Sequence, residues 1–525
     1  MSREQKEMGQ KEMEQKAFEV DQAYEKAWKK FTETAEKIHY FSMLSSLSGW
    51  DMQTMMPEEE LQTRSELAGF MAGETHRLMS DPHLDEALQA LQEAREKGKI
   101  GAHEARSVAL FERQMKKIKK IPEDRFRAFH MLVSRGESIW RKARAANDFS
   151  SFEPLLTEIV SLSREMIDYL GYAEHPYDAL LDDYEPGLTV KRLDSLFPPL
   201  REGLIQLLQK IQGSTHAPDT SRVQGTFAEA GQEQISRRVS ERLGFNYRRG
   251  RLDRSAHPFT VGVHPTDVRI TTRYLAHDPF SSLYSTVHEA GHGMYEQNLP
   301  LALERYPGLM AAASMGVHES QSRFFENMIG RSYGFWRYVL PLYQEAFPDV
   351  FKGLEAEAVF RIVNASRPSL IRVEADEVTY NLHIMLRYEL EKALMEKTIE
   401  VRDLPELWRV KMEAYLGIRP ETDTDGVLQD VHWSAGLFGY FPSYTLGNIY
   451  AGQLYAALRQ DLPDLEEHLA KGAWEGPLQW MKTHIHRHGA LLDPLPLIEQ
   501  ASGVSLSIEP LLNYLEEKMA RVYRF

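Results

Sequence analysis

Asp278-Pro279-Phe280-Ser281-Ser282-Leu283-Tyr284-Ser285-Thr286-Val287-His288-Glu289-Ala290-Gly291-His292-Gly293 reads as the opening of a helix. Asp278 suits the N-cap, and Pro279 suits the first helical turn. Inside the helix, His288-Glu289-Ala290-Gly291-His292 fits the pattern H-E-x-x-H. The i, i+4 spacing sets both imidazoles on one face, so both reach a single Zn²⁺. Glu289 projects beside them, where a carboxylate can take a proton from an activated water.

Just upstream the period changes. Phe259-Thr260-Val261-Gly262-Val263, His264-Pro265-Thr266 and Asp267-Val268-Arg269-Ile270-Thr271-Thr272-Arg273-Tyr274 alternate around a proline turn, which predicts a β-hairpin. It is the only convincing strand signal in the sequence. A strand beside the metal helix can hold an extended peptide. Elsewhere helical patterning dominates. Residues 1–40 are rich in strong helix formers, and Leu84, Ala87, Leu88 and Leu91 recur at helical intervals. The polar run Gly213–Thr220 reads as an inter-helix loop. The expected fold class is therefore mainly α, with one small β-hairpin or sheet beside the H-E-x-x-H helix.

Composition narrows the chemistry. The chain has 525 residues, and its 42% hydrophobic content suits a large core. Lys and Arg number 62 against 77 Asp and Glu, leaving a net charge of −15. That balance argues against nucleic acid and anionic membrane as partners. There is no cysteine, so any metal must rest on His, Asp or Glu. No apolar run is long enough to span a membrane, and the first residues show no apolar signal core. A cytoplasmic location is the expectation.

Catalytic zinc takes three protein ligands and keeps one open position. Downstream, Met315-Gly316-Val317-His318-Glu319-Ser320-Gln321-Ser322-Arg323-Phe324-Phe325-Glu326-Asn327 offers the third. Glu319, His318 and Glu326 are the candidates on that segment, and Glu319 would complete a His₂Glu set with His288 and His292.

These residues resemble the carboxypeptidase Taq family of helical, metal-dependent thermostable carboxypeptidases. His257-Pro258-Phe259 resembles its HPF motif, and Asp267-Val268-Arg269-Ile270-Thr271 its DxRxT motif. His318-Glu319-Ser320-Gln321 resembles the HES(G/Q) motif that carries the third metal ligand. Ile371–Asp376 resembles IRxxAD, Gly426–Trp433 resembles GxxQDxHW, and Gly49–Pro57 resembles a tryptophan–aspartate segment. The resemblance covers nearly the whole chain. It implies one helical domain over residues 1–525 around a deep groove. Within it, roughly residues 1–110 cap the groove and roughly 250–450 form the catalytic core. It further implies release of single amino acids from peptide C-termini with broad specificity, a divalent metal (Zn²⁺, with Co²⁺ or Mn²⁺ as substitutes) and a homodimer.

Such an activity needs a cation for the terminal carboxylate, and arginine offers a planar fork. Arg372 leads, with Glu374 and Asp376 nearby to orient it; Arg269 on the hairpin is second, and His257 joins the substrate-binding group through its motif. An oxyanion donor is expected among His432, Tyr440 and Tyr444. Gly436, Gly439 and Gly447 suit a flexible, closely packed loop there. Asp267 and Asp376 are candidates to orient ligand histidines. Some His₂Glu peptidases place an Asp four residues after the glutamate; here Arg323 stands there, so that acid must come from elsewhere. The competing readings are an oligoendopeptidase or dipeptidyl carboxypeptidase on the same scaffold, and a non-enzymatic peptide binder.

Overall fold

The computed structural model describes the backbone of residues 3–525 and the side chains of residues 23–525. Helices dominate from Arg3–Thr54 to Glu509–Tyr523. The first four long helices, Arg3–Thr54, Leu61–Met79, Pro82–Glu96 and Ala102–Lys120, share a small apolar core of their own. Phe31, Leu84, Leu91 and Val108 are fully buried in it. The remaining helices enclose one much larger core that runs from Leu132 to Tyr523. The N-terminal arm thus forms its own packing unit. The Gly213–Thr220 run is indeed an inter-helix loop, between Val190–Gly213 and the turn Thr220–Arg222.

The hairpin forms, with a strand that its sequence did not announce. Strands β1 (Gly250–Arg254), β2 (Thr260–His264) and β3 (Asp267–Thr272) make a sheet of order β1-β3-β2. β2 pairs antiparallel with β3, and β1 pairs parallel with it. β1 reads Gly-Arg-Leu-Asp-Arg, a polar run whose only apolar residue, Leu252, is buried. β3 buries Val268 and Ile270 on the face that meets the H-E-x-x-H helix. Alternation sends Arg269 to the other face. There Trp50, near the end of the first helix, meets both Arg251 and Arg269, with their guanidinium carbons 4.8 and 4.5 Å from the ring centre. This cation–π clamp ties the arm to the sheet.

The H-E-x-x-H helix runs from Ser281 to Gln297. Its start is two residues later than expected. Asp278 does cap, but its Oδ1 accepts from the backbone N–H groups of Phe280 and Ser281, at 2.9 and 3.1 Å, in the turn before the helix. Pro279 therefore lies outside the helix. Apolar and small residues cover nearly all sides, as suits a central helix. The helix Met315–Arg323 crosses it and continues into a π-helical turn, Phe324–Ile329. Gly291 makes the crossing possible: a Cβ there would lie 2.7 Å from the Gln321 carbonyl oxygen.

Candidate metal centre and its surroundings

His288, His292 and Glu319 come together at this crossing, with one ligand atom from each within 4.8 Å of the others. Glu319 Oε2 lies 3.7 Å from His288 Nε2 and 3.4 Å from His292 Nε2. The other carboxylate oxygen, Oε1, accepts from Arg323 Nε at 2.6 Å. Burial alone would raise the Glu319 pKa, but Arg323 and the two histidines hold it well below the usual carboxylate range. Burial pushes His292 down to about 3, so its ring is neutral at physiological pH. Burial also opposes charge on His288, yet Glu319 and the hydrogen bond to Glu326 outweigh it and raise that pKa. An anionic carboxylate and two Nε2 atoms facing it fit a divalent cation.

The supports of the two histidines differ. His288 Nδ1 bonds Glu326 Oε2 at 2.8 Å. Burial would raise the pKa of Glu326, on the π-helical turn, but the hydrogen bond with His288 and the nearby Arg323 and Arg331 hold it down to about 2. His292 Nδ1 meets His318 instead, at 2.6 Å. Both rivals for the third ligand therefore stand behind the histidines, outside the cluster. Asp267 and Asp376 do not orient the histidines. Asp267 pairs with Arg269 at 2.9 Å, and Asp376 accepts from Ser366 Oγ and from the backbone of Arg367, Val378 and Thr379.

Glu289 is buried, and its neighbour on the sheet is a residue that the sequence reading passed over. Thr260 Oγ1, on β2, donates to Glu289 Oε2 at 2.6 Å. Burial raises the Glu289 pKa, while His288 and Thr260 restrain the rise. The signal available in the sequence was position alone: Thr260 directly follows His257-Pro258-Phe259. His257 itself is exposed in the β1–β2 loop, where Ser255 Oγ holds its carbonyl.

The second half of the site is built from distant segments. The helix Phe441–Asp461 packs on Glu319 so closely that a Cβ at Gly447 would sit 2.5 Å from Glu319 Cγ. Gly447 is thus a mid-helix crossing point, not part of a flexible loop. Gly436 and Gly439 do lie in the preceding loop, at φ 71° and 89°. One turn before Gly447, Tyr444 OH lies 3.2 Å from His432 Nε2, and the Tyr440 and Tyr444 rings pack 5.2 Å apart. Burial, with Glu319 nearby, raises both tyrosine pKa values, Tyr440 to about 12. Both hydroxyls therefore keep their protons. Burial lowers His432 to about 4, leaving a neutral imidazole.

Arg372 is buried beside them, and its partners are not its sequence neighbours. Its Nε donates to Asp430 Oδ1 at 2.9 Å and its Nη1 to Tyr380 OH at 3.1 Å. Gln429 Oε1 accepts from the Arg372 backbone N–H at 2.9 Å. Glu374 is exposed, because the 3₁₀ turn Arg372–Glu374 carries it outward. Asp430 Oδ2 accepts from Arg387 Nε at 2.6 Å. One carboxylate thus faces two guanidinium groups, and the buried triad carries a net positive charge. The Tyr444 ring lies 5.2 Å from the Arg372 guanidinium carbon. Arg269, by contrast, is held by Asp267 and Trp50 on the sheet face away from the H-E-x-x-H helix.

Two buried carboxylates anchor these parts, and neither was singled out from sequence. Glu185 accepts from the backbone N–H of Gly316, at the start of the helix that carries Glu319, and from Tyr450 OH. Glu391 accepts from Trp433 Nε1, Gly439 N and Tyr177 OH at 2.7, 3.0 and 2.5 Å, tying down the loop between His432 and Tyr440. Burial raises both to about 7.

The fold and this cluster define a helical metallopeptidase. The chain belongs to the carboxypeptidase Taq (M32) metallopeptidase family, whose profile matches residues 30–519. It is accordingly a metallocarboxypeptidase, a hydrolase that acts on peptides with a bound metal ion. Carboxypeptidase 1 of Bacillus subtilis is 40% identical over 495 residues, covering 94% of this chain and 98% of the relative. Thermostable carboxypeptidase 1 of Thermus thermophilus is 39% identical over 509 residues, covering 95% and 99%. The crystal structure of an M32 carboxypeptidase from Deinococcus radiodurans superposes with a TM-score of 0.91 at 36% identity, covering 95% of this chain and all of that one. The non-enzymatic reading falls with this assignment. Among the described residues, no helix is long and apolar enough to cross a membrane.

Proposed function

We propose that this carboxypeptidase removes single residues in succession from peptide C-termini, with Glu289 as the general base. The observation that carries the reading is the buried Glu289 carboxylate, oriented by Thr260, beside a His₂Glu donor set. His288, His292 and Glu319 would hold the ion, which we take as Zn²⁺ with Co²⁺ or Mn²⁺ as substitutes. Its chemistry, when bound, is Lewis acidity toward the water and the scissile carbonyl. Glu289 takes the water's proton and passes it to the leaving amine; its raised pKa brings it nearer the working pH. Tyr444 or Tyr440 donates a hydrogen bond to the developing oxyanion, and neutral His432 holds the Tyr444 hydroxyl. Arg372 receives the terminal carboxylate, supported by the excess positive charge of its triad. Arg269 is the weaker choice, since it lies on the sheet face away from the H-E-x-x-H helix.

The edge position of β2 leaves its outer backbone groups free to pair with the peptide. Contact through backbone groups suits broad side-chain specificity. His257, in the loop that leads into β2, would meet the substrate there. The separately packed N-terminal arm, roughly residues 1–110, would cap the groove and exclude folded proteins, with the catalytic core over roughly 250–450 of the single domain 1–525. A cytoplasmic homodimer completes the reading, carried by family likeness.

Glu289→Gln is the direct test. It should retain stoichiometric metal while kcat falls by about 10²–10⁴-fold. Near wild-type turnover with metal bound would remove Glu289 from the base role.

A further inference from the structure

His292 has no carboxylate on its Nδ1, whereas His288 has Glu326 there. What it has is a second imidazole: His318 Nδ1 lies 2.6 Å away. Two ring nitrogens at that distance need one proton between them. For His292 Nε2 to offer a lone pair toward a cation beside Glu319, the proton of the neutral ring must sit on Nδ1. His292 Nδ1–H then donates to His318 Nδ1. That fixes the His318 proton on Nε2, which lies 2.7 Å from Glu296 Oε1. Every proton in the line His292, His318, Glu296 has one place.

The surroundings are shaped for this line. Glu296 lies on the same helix as His292, one turn later, so its carboxylate reaches back to its own helix through His318. β2 passes over it at Gly262, where a Cβ would lie 2.5 Å from Glu296 Oε2. Glycine leaves the carboxylate its room. The Tyr295 ring packs 5.5 Å from the His318 ring and limits its rotation.

We propose that His318 and Glu296 are positioning residues of the metal centre: together they fix the tautomer and ring orientation of His292, as Glu326 does directly for His288. The proposal rests on the metal-site reading above. Partners of this kind typically alter metal affinity by about 10–100-fold.

The test is competition for Zn²⁺ between the metal-stripped full-length protein and a chelating dye, with the Tm of each metal-free variant as a folding control. Glu296→Ala should weaken Zn²⁺ binding about 10–100-fold, while Glu296→Gln, which keeps an acceptor for His318 Nε2–H, should recover most of it. Gly262→Ala, which crowds Glu296 without touching the cluster, should weaken binding in the same direction by less. Wild-type affinity in Glu296→Ala would overturn the proposal. So would binding that collapses in His318→Ala to the level of His292→Ala while Glu296→Ala stays at wild type, since His318 would then be a ligand. Failure of the wild type itself to compete for Zn²⁺ would instead overturn the metal-site reading.

Discussion

The two halves of the site are built in opposite ways. The metal half comes from one helix and the helix that crosses it, with its two histidines four residues apart. The arginine half gathers Arg372, Arg387, Asp430, His432 and Tyr444 from separate segments, and its central bonds span 58 residues for Arg372–Asp430 and 43 for Arg387–Asp430. Local spacing is enough to place two imidazoles on one face. No local spacing places a guanidinium against a carboxylate that far along the chain. The metal half therefore rests on helix geometry. The other half rests on buried charge balance.

Substitutions that disturb that balance probe the difference most strongly. Asp430→Asn leaves Arg372 and Arg387 buried without their shared carboxylate. Loss of one partner in such a network costs about 3–5 kcal/mol. Denaturant unfolding should show a loss of that order, with Zn²⁺ affinity near wild type because Asp430 lies outside the His₂Glu cluster. A stability change under about 1 kcal/mol would mean that water already screens the triad.

A smaller, pH-dependent effect belongs to Glu391. Burial raises its folded pKa to about 7 from the ordinary value of 4.5. A raised folded pKa means that the folded state holds the proton more tightly than the unfolded one. The stability from that proton is complete below pH 4.5 and is lost as pH rises through about 7. Glu391→Gln carries no titrating proton. The stability of the wild type relative to this variant should therefore fall by about 3 kcal/mol between pH 4.5 and 8, as read from paired unfolding curves. A difference that grows with pH would show that Glu391 stays ionised and that its three donors outweigh burial.

The same contrast explains what the sequence made legible. The H-E-x-x-H helix, the β2–β3 hairpin and the shared face of His288 and His292 follow from period and spacing, whereas the choice of Glu319 over its rivals came from the family resemblance. Glu326 was visible only as a rival ligand, because the π-helical turn that carries it to His288 Nδ1 shifts the phase of the helix. His318 was a rival for a similar reason: adjacency to Glu319 hides that it points at the back of His292. Glu374 and Asp376 looked like partners of Arg372 because they are close in sequence, but a 3₁₀ turn exposes one and helix capping engages the other. β1 escaped notice because parallel pairing asked only Leu252 to be apolar. Thr260, Glu185 and Glu391 are single polar residues whose partners lie in other elements, and no pattern marks them.

The central claim is that one half cleaves and the other reads the free C-terminus. The measurement that tests it most directly compares kcat/KM on one unstructured peptide with a free and with an amidated C-terminus, for wild type and Arg372→Met. The account predicts stepwise loss of single residues from the free acid alone, and a preference that collapses in the variant while Zn²⁺ stays bound. Equal cleavage of the amide by the wild type, or an unchanged preference in folded Arg372→Met, would contradict it.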